Sequence, residues 1–385
     1  MKNKKNNKIW LILSSISTLT AIFPLVAISC DHKVKQNSKE NKEDSKPDQN
    51  KPESKPENPT KEDDLKPDQN KPESKPENPT KEEDSSNLNK KFKLELTESN
   101  TWKITKFIGN DSKVTIPREY QGKNITEIGN RAFFNSVIQS VTIAGSVKEI
   151  GESAFSGCRN IKEVFLNEGL EKIGAGAFNY TRIESINIPG SVKEIGGYAF
   201  SDCTNLREVI LNEGLEKIGA LAFYDTNIES ITIPGSVKEI DEGALSIWNI
   251  RSILINPNNK NFEINDNFFI DKNNKKILAY LDKKTTKVTI PSSVKEIGEW
   301  AFSDCKYLKE VILNEGLEKI DSGAFQDTNI ESIFIPGSVK EIGESAFSGC
   351  WYLKEVIYKG DASNINRWLN IGIDKTKIKI IPSNN

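Results

Sequence analysis

A dipeptide of isoleucine followed by glycine or aspartate recurs nine times along the chain, at Ile128-Gly129, Ile150-Gly151, Ile173-Gly174, Ile195-Gly196, Ile218-Gly219, Ile240-Asp241, Ile297-Gly298, Ile320-Asp321 and Ile342-Gly343. The steps are 22 or 23 residues except for one of 57. Self-similarity at such a period is the mark of a solenoid, in which each unit is one coil that stacks on its neighbours. The alternation of 22 and 23 makes the larger unit a 45-residue pair. Within one coil, Leu206, Val209 and Leu211 alternate as a short strand, and Leu215, Ile218, Ala222 and Phe223 turn back beneath it. All seven are expected inside. Seven buried side chains cannot offset the entropy of ordering a 22-residue backbone, so a coil is stable only when its neighbours add backbone hydrogen bonds and apolar contact.

The long step exceeds one repeat by 35 residues and contains NFFIDKNNKKILAYL, two apolar runs about an Asn-Asn turn. This pattern predicts a β-hairpin insert over 256–287 that projects from the stack. The chain then divides into a segment at 1–29, a linker at 30–88, an N-terminal cap at 89–127, repeats at 128–255 and 288–358, and a C-terminal cap at 359–385. Phe92–Leu96 and Trp102–Phe107 are expected to form a hairpin over the first coil, and Trp368 to lie over the last.

The first segment begins with Lys2, Lys4, Lys5 and Lys8 and continues as an uncharged stretch from Ile9 to Ser29 rich in Ile, Leu, Ser and Thr. That is the form of an export signal. It ends in PLVAISC, which resembles the lipobox of bacterial lipoproteins and implies lipid attachment at Cys30 on the outer face of the cell membrane. An uncleaved membrane helix gives the same topology, because the lysines hold the N-terminus inside. The linker carries KPDQNKPESKPENPTKE twice and almost no apolar residues. It can build no core, and proline with balanced charge favours an extended, solvated, disordered tether.

Several classes of chemistry are excluded by what the chain lacks. Its formal charge is −2 and the basic leader carries four of the lysines, so the remainder of the chain is mildly acidic and offers no electrostatic footprint for nucleic acid. The single histidine, His32, sits in the linker, which removes Ser-His-Asp and Cys-His catalysis and histidine metal sites; no metal or cofactor is expected. Cys158, Cys203, Cys305 and Cys350 fall on alternate coils. At about 4.8 Å per coil such cysteines lie near 10 Å apart, beyond the roughly 7 Å reach of a disulfide, and Thr181, Thr226 and Thr328 take the same position on other coils. Buried structural thiols are the expectation. The glutamate column Glu163, Glu208, Glu310 and Glu355 has the same spacing, outside the roughly 6.5–9.5 Å of an inverting glycosidase pair, and Lys162, Arg207, Lys309 and Lys354 stand beside it.

The recurring I-G-x-x-A-F-x-x-C and L-x-x-V-x-I-P pattern resembles the BspA-type leucine-rich repeats of bacterial surface proteins over residues 89–381, with departures at Asp241 with Leu245 and at Asp321. The resemblance implies short parallel strands on a concave face and turns or short helical segments on the convex one. The leader and the Asn, Lys and Ile bias resemble a mollicute lipoprotein. Side chains alternate along a strand, so with Val164 and Leu166 inward, Phe165, Ile210, Leu254, Ile312, Phe334 and Ile357 point outward, interleaved with Thr142, Asn187, Thr232 and Thr289. An apolar stripe flanked by charge is expected to contact protein, the partner being a host or neighbouring-cell surface protein. Two other readings are a structural or variable antigenic coat lipoprotein without one dedicated ligand, favoured by the near-identical IPGSVKEI segments, and an accessory to an enzyme or transporter at the membrane.

Overall fold

A computed structural model describes residues 85–382, apart from Trp248 and residues 366–369. The export signal, Cys30, His32, most of the expected tether and Trp368 lie outside the described residues.

The described residues form a β-solenoid of about 12 turns with almost no helix. Each regular coil has a two-residue strand at the Glu-Ile or Lys-Ile step, a turn carrying the Ala-Phe pair, and a second strand of three to five residues. The short strands stack in parallel from Lys123–Ile128 to Glu239–Ile240, each isoleucine opposite the next. Phenylalanines follow the same path: Phe133, Phe155, Phe178, Phe200 and Phe223 stack with ring centroids 4.6–5.5 Å apart. All seven inward residues of the coil at 206–223 are buried.

Glycine follows the isoleucine because the coils approach one another there. A Cβ at Gly151, Gly174, Gly196, Gly219 or Gly343 would lie 2.3–2.8 Å from backbone nitrogen of the preceding coil. The 45-residue pairing has an equally local cause. Glu213 accepts hydrogen bonds from the Gly235 and Ser236 amides on the next coil at 2.8 and 3.0 Å, and the Gly214 amide donates to Ser236 Oγ. Glu168 meets Gly190 and Ser191 in the same way. A turn reading Asn-Glu-Gly is therefore matched to a Pro-Gly-Ser turn on the following coil.

At the N-terminus, Phe92–Leu96 pairs antiparallel with Trp102–Phe107, which runs parallel to Lys123–Ile128. Phe92 and Phe107 pack on Phe133 and close the ring stack. A helix at Ser85–Lys91 precedes the hairpin and starts inside the stretch expected to be tether, held by the buried Leu88.

The expectation of a projecting hairpin at 256–287 is corrected. Phe262–Asn265, Phe268–Asp271 and Lys276–Tyr280 form a three-stranded antiparallel meander, and the last strand runs parallel to Glu296–Ile297. Ile277 takes the place of the repeat isoleucine, and the Tyr280 amide donates to Ala301 O at 2.8 Å as the repeat phenylalanines do on their neighbours. Tyr280 then starts a second ring stack through Phe302, Phe325 and Phe347. Phe268, Phe269 and Ile270 are buried. The apolar runs required burial, so the insert joins two solenoid blocks from within the stack.

Candidate binding face

The longer strands set the register of the outward side chains. Thr115, Thr142 and Phe165 lie side by side on three parallel strands; Asn187 pairs with Ile210 and Thr232 with Leu254. In the second block Thr289, Ile312, Phe334, Ile357 and Lys379 form one continuous row. Leu254 is 56 % exposed, Ile210 45 %, Phe165 40 % and Phe334 39 %, while the flanking Val209 and Val311 are buried. Ile312, Asn187, Thr232 and Thr289 are exposed, and Thr142 and Ile357 are half-buried. The ten residues named from the sequence therefore fall on strands of one series. Thr115 and Lys379, which extend the rows at either end, escape a sequence reading because their strands lie outside the nine-fold repeat.

Charges border this face in pairs. Lys287 meets Glu310 at 2.8 Å, Lys309 meets Glu331 at 3.6 Å, and Lys379 meets Glu355. These exposed pairs each contribute under about 1 kcal/mol. They engage Glu310 and Glu355 of the glutamate column with lysine, as solvated charge pairs.

Cys158, Cys203, Cys305 and Cys350 are free and buried. Cys203 Sγ donates to Phe178 O at 3.1 Å and lies 3.2 Å from Thr181 Oγ1; Cys350 and Thr328 repeat the arrangement. Burial pushes the Cys203 thiol up to about 11. Such thiols are poor nucleophiles and metal ligands.

One constellation escaped sequence reasoning. Glu242, Glu296 and Asp321 place carboxylate oxygens within 4.8 Å of one another, the geometry of a cation site. The Lys276 ammonium fills it, 2.7 Å from Glu242, 2.6 Å from Glu296 and 2.9 Å from Asp321. Lys319 adds a second contact to Asp321 at 2.7 Å. Burial holds Glu296 above its ordinary range, with Asp321 adding to the shift, despite its contact with Lys276. Glu242 belongs to the last coil of the first block and the other members to the insert and second block, so the cluster ties the two across the junction. The departure at Asp321 is its trace in the sequence, since Asp321 binds Lys276; Asp241 binds Lys217, outside the cluster, at 3.1 Å.

Among the described residues no helix is long and apolar enough to cross a membrane. No curated protein matches the sequence. Several solved structures share the fold, three of them as follows. The pneumococcal vaccine antigen PcpA is 25 % identical over 76 % of this chain and 83 % of its own, with a TM-score of 0.61. A leucine-rich cell surface protein of Faecalibacterium prausnitzii is 23 % identical over 77 % and 94 %, with a TM-score of 0.56. A leucine-rich-repeat protein of Eubacterium ventriosum is 24 % identical over 76 % and 83 %, with a TM-score of 0.55. The model of the BspA-type leucine-rich repeat region matches in overlapping stretches at 112–203, 171–279 and 275–384, and on that match the chain belongs to the BspA-type leucine-rich-repeat family.

Proposed function

We propose that the protein is a non-enzymatic binding module displayed outside the cell on a lipid anchor at Cys30, and that it holds a host or neighbouring-cell surface protein through its long-strand face. The observation that carries the reading is the exposed row Phe165, Ile210, Leu254, Ile312 and Phe334. Apolar side chains at fixed outward register on a rigid ladder cost solubility unless something covers them, and parallel solenoid faces are common binding surfaces. Family membership supports a protein-interaction scaffold in general. Two of the structural neighbours bear names that speak of an antigen and of a cell surface.

The test is capture of extracellular-matrix and membrane proteins by the full-length protein, compared with Phe165→Asp plus Phe334→Asp. Both substitutions fall on exposed positions and leave the core intact, so the variant should fold normally and capture at least tenfold less. Equal capture by the two would remove the long-strand face from the account. Capture by neither would favour a coat protein without one dedicated ligand, the reading supported by the near-identical Pro-Gly-Ser turns.

A further inference from the structure

A small cleft of about 70 Å³, open to solvent, lies where the two blocks meet, on the Ala-Phe side of the coils and away from the long-strand face. Its walls are apolar and aromatic, with Tyr224, Ile247, Leu278 and Trp300 among them, and its polar groups include Asp304 and Asp327. The rings of Tyr224 and Trp300 stand 6.0 Å apart at 42°. We infer that this cleft receives an arginine side chain of a partner protein, its guanidinium stacked on Trp300 and Tyr224 and paired with Asp327 and Asp304.

Trp300 is the first support. Its φ is 52°, in the left-handed region that bulky side chains disfavour. The equivalent residue of the other coils is left-handed too, as glycine at Gly176, Gly243 and Gly323 and as Arg131, Ser153, Tyr198, Leu221 and Ser345 elsewhere, and the tryptophan ring spans the neighbouring Gly243 and Gly323 so closely that a Cβ on either would meet it. The backbone is that of the other coils; what sets Trp300 apart is that glycine on both neighbouring coils leaves its ring room to lie along the wall of the cleft.

The charge around the cleft is the second. Asp202 and Asp225 continue the column of Asp304 and Asp327 on the first block, and the Tyr224 hydroxyl is raised by burial and then by Asp225, Asp202 and Asp304. Two lysines oppose these four carboxylates: Lys283, in the cleft wall, donates to Ser303 O at 2.8 Å and keeps its charge, and Lys306 meets Asp304 at 3.5 Å, so acid still exceeds base by two. The balance favours a cation. Guanidinium fits better than ammonium, because it is weakly hydrated, stacks on aromatic faces and presents a planar fork to carboxylates.

The experiment titrates the full-length protein in detergent with the tripeptide Gly-Arg-Gly blocked at both ends, and in parallel with the blocked lysine tripeptide and with butylguanidinium, following binding by calorimetry. Saturable binding of the arginine peptide is expected, with the lysine peptide at least tenfold weaker. Trp300→Gly installs the residue of the neighbouring coils and gives up only the ring's own contacts, so it should still fold, as circular dichroism would check, and bind at least tenfold less. Asp304→Asn with Asp327→Asn should likewise lose tenfold. Absence of saturable arginine binding at millimolar peptide, or unchanged binding by folded Trp300→Gly, would overturn the proposal. Binding of butylguanidinium but not the tripeptide would overturn it too, since the cleft would then take a free guanidinium and not a protein side chain.

Discussion

Replacing Lys276 with methionine removes the positive centre of the junction and leaves its carboxylates facing one another. The Lys276 and Asp321 side chains are only 9 % and 11 % exposed, and Glu296 is 24 % exposed. Orphaning a buried ion pair costs about 3–5 kcal/mol. The lower figure applies, because Lys319 keeps its contact with Asp321 and Glu242 is half exposed and can hydrate. In a solenoid this loss stays with the interface between neighbours. Opening of the junction should therefore ease by about 3 kcal/mol, roughly 150-fold in amide exchange at that energy, while the coils around Phe155 and Phe347 hold their protection. Native-state hydrogen exchange read by mass spectrometry on peptides covering 239–245 and 296–302 measures it. Adding Glu296→Gln and Asp321→Asn to Lys276→Met should restore more than half the loss, because neutral partners need no counter-charge. Calcium at about 10 mM should also stabilise the single variant, by about 1.4 kcal/mol for a dissociation constant of about 1 mM. Unchanged exchange at the junction, or an equal acceleration in every coil, would refute the reasoning.

Gly219→Ala puts a Cβ 2.4 Å from the Gly197 nitrogen and should cost about 1–3 kcal/mol as overpacking, read from urea denaturation; a loss under about 0.5 kcal/mol would mean the coils are less tightly set. Burial and the raised thiol keep Cys203 protonated at pH 8, where an ordinary thiol is partly ionised. Native protein should leave Cys158, Cys203, Cys305 and Cys350 unalkylated by iodoacetamide at that pH, and urea should expose all four; native alkylation would contradict their burial.

The solenoid is legible in the sequence because its determinants are short-range and repeated. Isoleucine, glycine, alanine and phenylalanine recur at the spacing of a coil, and each has one physical task. The outward row comes from strand alternation alone. The insert misleads for the opposite reason: it occurs once, and KILAY carries the isoleucine, alanine and aromatic of a coil without the glycine spacing. Lys276 cannot be paired with Glu242, Glu296 and Asp321 until the insert is known to lie within the stack. The column of left-handed residues, including Trp300, is likewise invisible to a reading based on hydrophobic period, since Gly, Ser, Tyr and Trp share it.

Surface display is tested most directly by a single reporter cysteine. Thr289 is exposed on the long-strand face, and the four repeat cysteines are buried, so Thr289→Cys should supply the accessible thiol of the solenoid. Labelling of that variant on intact cells by a membrane-impermeant maleimide, with the unsubstituted protein silent, is the predicted result. Labelling of Thr289→Cys only after the cells are lysed would contradict it.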